Sequence, residues 1–536
     1  NAEGSGPGFR SLCHGEGQAH ALPEVTDGSG AKTAGIEPGD VIIKIDGKKV
    51  HNMAELQENL TRYRPGDKVE VTILRGKKEK ELDEMLGKVQ EQGDELKKSR
   101  KQILKDAREE AERLLREANA KIENTIRTIV EAKAEKERPT LIIGNTVMGK
   151  GARRADGSSY EFDCGTHGAP LGGDAYINTI KNLGGDVENP FVFFPEVKEM
   201  YDNRLAELRN IVAERKQAKA AWAAANPEKA QKLEDWFSGK QPKIDWNAIE
   251  QKADAPTRNA SATVLGILAE NYENMICSSA DLSNSDKTDG FLKKTHAFTP
   301  GDFSGAFLQA GVAELTMACC CLGMALHGGV IAACGTFFVF SDYMKPAVRM
   351  AALMELPVKF IWTHDAFRVG EDGPTHEPVE QEAQIRLMEK LKNHHGKNSV
   401  LVLRPADSIE TTQCWKMAME NVDTPTALIF SRQNIAQLPD GNDYTQAEKG
   451  AYIVAGSDEN PDVTLVASGS EVSTLVAGAA LLREDGIKVR IVSCPSEGLF
   501  RTQPKEYQQS VLPCGEKIFG LTAGLPVNLE GLVGCN

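Results

Sequence analysis

Short strand-like runs of apolar residues alternate with helical segments from residue 330 onward, and this alternation restricts the possible folds most. The clearest unit begins at Asp462, where a strand leads through Ser468-Gly-Ser-Glu471, a helix-starting turn, into a helix that stops at Gly486. Such strand–helix–strand repeats are typical of parallel sheets flanked by helices, so we predict an α/β fold. The strand-like runs are residues 330–334, 358–362, 400–403, 427–430, 463–467 and 489–492.

The preceding segment has the same mixed character. Residues 140–145 predict a strand that runs into the glycine turn Met148-Gly-Lys-Gly151, and residues 205–224 and 229–237 predict helices. Residues 315–340 are long and apolar, but their glycines and His327 favour a helix followed by a strand over a membrane span.

Length and charge restrict the possible functions. The chain has 536 residues, enough for roughly three to four domains at about 150 residues each. Its net charge of −14 argues against nucleic acid or an anionic membrane as the main partner. The 11 cysteines have no metal-binding spacing, and we expect reduced, buried thiols, including Cys319, Cys320 and Cys321, in a cytoplasmic protein.

One carboxylate stands out in the apolar part of the chain. Glu314 is the only charged residue between Phe307 and His327, and His364, Asp372 and His376 follow in a Gly/Pro-broken segment. An acid in apolar surroundings either titrates near neutrality or hydrogen-bonds a basic group, and such acids are often catalytic. The spacing of the other three also leaves open a metal site.

The first 137 residues have a different composition. Residues 1–22 are Gly-rich and predicted to be disordered, while residues 23–80 alternate strand-like runs, glycine turns and one helix, a pattern that resembles a PDZ domain of the HtrA type. That family binds peptide C-termini by strand addition, with a loop expected near residues 5–15.

Residues 81–137 predict one long amphipathic helix and resemble, over residues 85–137, a helical segment of MutS-type proteins.

The rest of the chain resembles transketolase. Motifs that carry the resemblance are Gly311-Val-Ala-Glu-Leu-Thr316, Thr336-Phe-Phe-Val-Phe-Ser-Asp-Tyr343, Thr363-His-Asp365, Gly370-Glu-Asp-Gly-Pro-Thr-His376 and Phe430-Ser-Arg-Gln-Asn434. The resemblance covers residues from about 139 to 536. It implies transfer of a two-carbon ketol unit between sugar phosphates, with thiamine diphosphate and Mg²⁺ or Ca²⁺ as cofactors.

The resemblance also implies where the cofactor binds. Glu314 corresponds to the catalytic acid that contacts N1′ of the aminopyrimidine, and Phe337, Phe340 and Tyr343 correspond to the aromatic pocket around that ring. Spacing alone would suit core packing for these three aromatic residues. His167, in Thr166-His-Gly-Ala-Pro-Leu-Gly172, corresponds to a catalytic residue beside the cofactor.

Six further residues correspond to the substrate site. Asp372 and His376 correspond to groups that contact substrate hydroxyls, and His376 is also expected to be catalytic. A donor-rich cradle for the substrate phosphate is expected from Arg258, Ser285, His364 and Arg432.

The family's Gly-Asp-Gly motif, which holds the diphosphate and its metal, is absent from the sequence. Either a homodimer or a partner subunit that supplies the diphosphate-binding domain is therefore expected. A non-catalytic peptide-binding adaptor and a join of unrelated gene fragments remain open. The predicted domains are 1–22 disordered, 23–80 PDZ-like, 81–137 helical, 138–253 a remnant of the diphosphate-binding domain, 254–434 pyrimidine-binding and 435–536 a truncated C-terminal domain.

Overall fold

The computed structural model describes residues 24–64, 67–75 and 82–533, with the backbone alone over 82–100. The chain forms two compact units that divide between Val192 and Phe193. The predictions of a disordered segment over 1–22 and of a peptide-binding loop near residues 5–15 lie outside the described residues.

The first unit begins with a small β-rich module. Its strands form a three-stranded antiparallel sheet in the order β2-β1-β3, and Ile45 and Leu56 contribute to its own apolar core. Asn52 caps the helix over Met53–Leu60 by accepting a hydrogen bond from the backbone N–H of Glu55. The elements are α1 (Gly30–Thr33), β1 (Val41–Ile45), β2 (Lys48–Lys49), α2 (Met53–Leu60) and β3 (Val71–Leu74).

One long helix and one short helix complete this unit. The predicted long helix is α3 (Leu82–Ala134), about 80 Å in length, and its large apolar side chains from Ile103 to Val130 are exposed. The short helix is α4 (Gly173–Asn182). The strand predicted over 140–145 is wrong, because Leu141 is 83% exposed and no described strand pairs with this segment. An apolar run without a neighbouring strand gains neither ladder hydrogen bonds nor burial.

A six-stranded parallel sheet forms the centre of the second unit, in the order β5-β4-β6-β7-β9-β8. This confirms the predicted parallel α/β architecture. The strands are β4 (Met275–Ser279), β5 (Phe307–Gln309), β6 (Ile331–Phe337), β7 (Lys359–Thr363), β8 (Leu401–Leu403) and β9 (Thr426–Phe430).

Helices cover both faces of this sheet. On β7, Phe360 and Trp362 belong to the apolar core on one face and Ile361 to the core on the other, as the two-residue period of a strand requires. Each large apolar side chain buried in this way contributes about 1.5–3 kcal/mol. The helices of this part of the chain, of which α5 buries no residue, are α5 (Pro195–Ala225), α6 (Pro227–Phe237), α7 (Thr257–Asn271), α8 (Ser283–Asp286), α9 (Asp289–Leu292), α10 (Glu314–His327), α11 (Ser341–Leu353), α12 (Gln381–Glu389) and α13 (Ser408–Glu420).

A second, four-stranded sheet follows in the order β10-β12-β11-β13, with β10 antiparallel and the others parallel. Leu465, Val472 and Ile491 lie in the core that joins it to its helices. The elements are β10 (Tyr452–Ile453), β11 (Val463–Ala467), α14 (Glu471–Glu484), β12 (Val489–Ser493), α15 (Glu497–Arg501), α16 (Lys505–Val511), β13 (Ile518–Leu521) and α17 (Glu530–Val533).

The cysteines follow the prediction only in part. Cys321 is buried, but Cys319 and Cys320 are exposed, because consecutive residues of α10 point in different directions and only one side of the helix faces the sheet. Cys514 is disulfide-bonded, in contrast to the predicted reduced thiols. None of the helices in the described ranges is both long and apolar enough to cross a lipid bilayer.

Candidate active site

The candidate site lies at the carboxyl end of the six-stranded sheet. Because the strands are parallel, the residues that follow neighbouring strands lie at this same edge. Phe337 is the last residue of β6, His364 directly follows β7, and Arg432 lies two residues after β9. Ser285 lies in α8, just after β4. Four neighbouring strands of the sheet order therefore supply these side chains.

His364 is the central residue of this group. It is 2% exposed, and burial, followed by the positive charges of Arg258 and Arg432, lowers its pKa to about 3, so the ring is neutral at physiological pH. Its Nδ1 lies 2.9 Å from the Thr363 hydroxyl, and its Nε2 lies 3.4 Å from Nη1 of Arg258. Because a guanidinium can only donate, the contact with Arg258 requires Nε2 as the acceptor, which leaves the proton on Nδ1, facing the Thr363 hydroxyl.

Arg258 faces the same point from the start of α7. Its Nη1 donates to the Ser285 carbonyl at 2.8 Å and lies 3.4 Å from the Ser285 hydroxyl. Its Nε is buried, and no group in the described part of the chain accepts from it. Burial and the nearby Arg432 lower the pKa of the guanidinium, which means that a positive charge is held here at a cost.

Arg432 completes the cationic cluster. Its nearest carboxylate is that of Glu371, at 3.9 Å from Nη2, and this side chain is almost fully exposed, so it compensates the charge only weakly. Two guanidiniums, a hydroxyl and an imidazole thus face one another, and the carboxylates that act on the guanidiniums are the exposed Glu371 and the buried Asp286. Such an arrangement is suited to binding a doubly charged oxyanion.

The predicted aromatic residues lie beside this cluster. The Phe337 ring contacts the His364 ring with 3.8 Å between centroids, and the Phe340 ring stacks on Phe337 at 5.9 Å. His376 approaches Phe340 edge-on at 5.3 Å. Tyr343 stacks on Phe340 at 6.1 Å but is 60% exposed. Together they form a partly open wall of rings, a suitable surface for a flat heteroaromatic ligand.

Glu314 is the first residue of α10 and is 7% exposed, so the predicted shielding from water is correct. Gly311, at φ 68°, forms the turn that brings the chain from β5 to this helix. Among the described residues no group donates a hydrogen bond to the Glu314 carboxylate. The helix dipole favours a negative charge at this end, while the missing partner leaves the carboxylate able to accept from a ligand.

Two predicted residues make none of the contacts described above. Asp372 is exposed in the loop between Gly370 and Gly373. His167 belongs to the first unit, where it follows a 3-10 turn over Cys164–Thr166. The alternative of a metal site is not supported, since the described residues contain no cluster of three or more side chains able to hold a metal ion.

Sequence reasoning missed two buried groups near the site. Asp286 accepts from Ser279 at 2.7 Å and from Thr288, and burial raises its pKa to about 6. Arg404, fully buried, pairs with Asp365, the residue after His364, at 2.8 Å. For Arg404, the signal in the sequence was a charged residue directly after an apolar strand-like run, and this signal does not identify its partner.

Comparison with known families finds four domain matches in the chain. Residues 253–437 match the transketolase pyrimidine binding domain, residues 450–536 the transketolase-like C-terminal domain, and residues 108–242 the transketolase thiamine diphosphate binding domain. Residues 18–85 match the PDZ domain. These matches confirm the predicted transketolase and PDZ resemblances, whereas the MutS resemblance of residues 85–137 stays a prediction.

Whole relatives give the same result. The chain is 40% identical to the transketolase of Bacillus subtilis over 404 residues, which is 74% of this chain and 58% of that protein. It is 38% identical to the Halalkalibacterium halodurans transketolase over 423 residues, 77% of this chain and 60% of the relative. The chain thus spans about three fifths of the length of these relatives.

Solved structures agree with the fold. A transketolase from Leishmania mexicana matches with a TM-score of 0.68 and 31% identity, covering 76% of this chain and 58% of that chain. The Pichia stipitis transketolase in complex with sedoheptulose-7-phosphate matches with a TM-score of 0.64 and 34% identity, covering 74% of this chain and 57% of that chain.

Proposed function

We propose that this chain takes part in the transfer of a two-carbon ketol unit between sugar phosphates. The reason is that domains of the transketolase family match residues 108–242, 253–437 and 450–536. The observation that carries the proposal is the cluster of Arg258, Ser285, His364 and Arg432. Residues separated by up to 174 positions converge on one point next to an aromatic wall.

The cluster supports binding of the substrate phosphate. The two guanidiniums supply charge and several N–H donors, and the Ser285 hydroxyl and neutral His364 ring supply directional hydrogen bonds. A phosphate dianion would relieve the repulsion between the two arginines and give the buried Arg258 Nε an acceptor. The Pichia stipitis relative, solved with a seven-carbon sugar phosphate, is consistent with this class of ligand.

The thiamine end of the site is proposed on the other side of the aromatic wall. Thiamine diphosphate supplies the carbanion-stabilising chemistry when bound. Glu314, shielded from water and without a donor, fits a basic ring nitrogen and would hold the shared proton at N1′ of the aminopyrimidine. Phe337, Phe340 and Tyr343 would orient that ring and exclude water from one of its faces.

Three further roles are proposed from the family resemblance. His376, placed edge-on to Phe340, would contact the substrate hydroxyl groups near the reacting carbons and move a proton there. Asp372 would contact a neighbouring hydroxyl from its exposed loop. His167 would act beside the cofactor.

The described residues contain no metal-ligating cluster, and the sequence has no Gly-Asp-Gly motif, so this chain does not fit the diphosphate and its Mg²⁺ or Ca²⁺ by itself. We therefore propose that a second copy in a homodimer, or a partner subunit, supplies the missing diphosphate-binding residues. A cytoplasmic location is proposed for the assembly, in keeping with the metabolic substrates.

A second candidate function is supported by the PDZ match over residues 18–85. The three-stranded module with its own core could bind peptide C-termini by strand addition, and the chain would then serve as an adaptor.

Ketol transfer by the purified chain, alone and mixed with a diphosphate-binding domain from a relative, tests the proposal. We expect transfer in the reconstituted mixture and its loss by at least about 100-fold in Glu314→Gln, with unchanged folding, because an amide cannot share a proton with N1′ as the acid does. Normal turnover in that variant contradicts the role of Glu314. Calorimetry with C-terminal peptides distinguishes an adaptor from a ketol transferase. An adaptor would bind the peptides but neither thiamine diphosphate with Mg²⁺ nor sugar phosphates.

A further inference from the structure

His364 adopts a backbone conformation that its side chain disfavours. Its φ is 63°, in the left-handed region, which is strained for a residue with a Cβ. Such a conformation persists only where the surrounding structure holds it. On the amino-terminal side, Thr363 is held by the pairing of β7 with β9 opposite Phe430. On the carboxyl-terminal side, the next residue is the buried Asp365.

Asp365 is 4% exposed and accepts two hydrogen bonds from outside its own loop. Nη2 of Arg404 donates at 2.8 Å and the Ser470 hydroxyl at 3.1 Å. Arg404 directly follows β8, whereas Ser470 lies at the start of α14, beyond β11 of the second sheet. The residue after His364 is therefore anchored by groups from two other segments, one of them in the C-terminal domain.

The loop between β11 and α14 is shaped around Arg404. Nη1 of Arg404 donates to the Ser468 carbonyl at 2.8 Å and to Oε2 of Glu471 at 2.6 Å. Gly469 lies at φ 66°, and a Cβ at that position would come within 2.6 Å of the Arg404 side chain. The glycine is thus required for the loop to close over the guanidinium.

Charge neutralisation alone does not explain Asp365. Glu471 already reaches both terminal nitrogens of Arg404, at 2.6 and 3.1 Å, and Glu382 lies at 3.5 Å. A third carboxylate adds a desolvation cost and repulsion among the acids. The contact that Asp365 makes is explained instead by its place in the chain, next to the strained His364.

We propose that Asp365 is a positioning residue, through which Arg404 and the C-terminal domain hold His364 in the conformation that binds the substrate phosphate. This inference rests on the proposed function, because it assigns a task to the phosphate cluster. The C-terminal domain then sets the affinity for the phosphorylated end of the sugar without touching it.

Calorimetric titration of the full chain with ribose 5-phosphate tests the proposal. Asp365→Ala removes the anchor and leaves Arg404 paired with Glu471, and we expect about tenfold weaker binding, as for His364→Ala. The double variant should bind no more weakly than either single variant, because both changes remove the same histidine contact. Asp365→Asn, whose carbonyl can still accept from Arg404, should restore most of the affinity.

The matched control is Asp458→Ala, which removes another acid that accepts from an arginine at 2.8 Å, Arg483, in the C-terminal domain. It should leave the affinity unchanged. If Asp365→Ala does not fold, Asp365→Ser, too short to reach Arg404, carries the same expectation. Wild-type affinity in a folded Asp365 variant, or a further tenfold loss in the double variant, overturns the positioning role. A wild-type chain that does not bind ribose 5-phosphate refutes the phosphate cluster itself, and the positioning role with it.

Discussion

Arg432 is held near Arg258, and within the described residues its ion-pair partner is the exposed Glu371, at 3.9 Å. At the scale of single residues, this weakly compensated charge is the feature most characteristic of an anion site. Removing one guanidinium should therefore weaken anion binding and at the same time relieve the electrostatic repulsion between the two arginines. The loss in binding can therefore be measured without loss of the fold.

Arg432→Gln should weaken binding of ribose 5-phosphate by about 10- to 100-fold, because hydrogen bonds to charged groups contribute about 1.5–3 kcal/mol each. The free energy of unfolding should change little or rise. Calorimetry at two salt concentrations measures the effect, which should shrink as salt screens the charge. Arg349→Gln, an exposed arginine of α11, is the control and should bind like the wild type.

Glu410 gives a prediction for pH. It is fully buried, accepts from the hydroxyls of Tyr452 and Ser493, and burial together with Asp407 raises its pKa from 4.5 to about 7. An acid with a raised pKa binds its proton more tightly in the folded state. The protonated Glu410 side chain therefore stabilises the fold fully below pH 4.5. This stabilisation, roughly 3 kcal/mol in the free energy of unfolding, is lost as the pH rises to about 7.

Glu410→Gln should remove this share of the pH dependence. Urea unfolding at pH 5, 6, 7 and 8 should give a flatter profile for the variant, whose stability relative to wild type increases with pH. Glu448→Gln, which changes an exposed acid, should keep the wild-type slope. Parallel profiles for Glu410→Gln and the wild type would show that Glu410 is already ionised throughout this range.

At the scale of elements, the loop from Gly370 to Gly373 lies against the Arg432 guanidinium at its first glycine. Both glycines have positive φ, at 90° and 75°, but they differ in their surroundings. A Cβ at Gly370 would lie 2.9 Å from the Arg432 guanidinium, whereas a Cβ at Gly373 would meet nothing within 4 Å.

Gly370→Ala should therefore weaken sugar phosphate binding several-fold by displacing the guanidinium, and Gly373→Ala, with similar backbone strain but no contact, should not. Titration calorimetry and thermal unfolding of both variants measure the two effects separately. Equal affinities would mean that Arg432 adapts to the added methyl group without loss.

The elements also show what the sequence could predict. The central strands β6, β7 and β9 were predicted because strands buried on both faces are continuous apolar runs. The short β5 and the mixed β4, Met-Ile-Cys-Ser-Ser, were missed, and the segment 140–145 was wrongly predicted as a strand because pairing is not encoded locally. The buried contacts of Asp365 were not predictable, since they join residues 39 and 105 positions apart.

The candidate site had a similar limit. A buried Glu314 followed from its apolar neighbours, but the meeting of Arg258 with His364, 106 positions away, came only from the family resemblance. The roles assigned to Asp372 and His167 stay predictions.

At the scale of the whole molecule, the proposed phosphate cluster and the PDZ match lie in different units. All four residues of the phosphate cluster lie in the second unit, which has its own cores on both faces of the six-stranded sheet. The first unit carries the PDZ match and the long helix α3. The hypothesis of a join of unrelated gene fragments is tested by the genomic reading frame across codons 80–140.

A chain reduced to residues 193–536 should fold and bind ribose 5-phosphate with the affinity of the full chain, because no residue of the cluster or its anchors is removed. Circular dichroism and calorimetry provide the measurements. A folded fragment with much weaker binding would show that the first unit contributes to the phosphate site.

The position of β13 at the outer side of the second sheet has a practical consequence. In the described part of the chain no strand pairs with its far side, and Phe519 is exposed there. Unsatisfied main-chain groups beside an aromatic side chain form a template for edge-to-edge aggregation. A lysine at position 519 would be the first change to make in preparing concentrated, homogeneous samples.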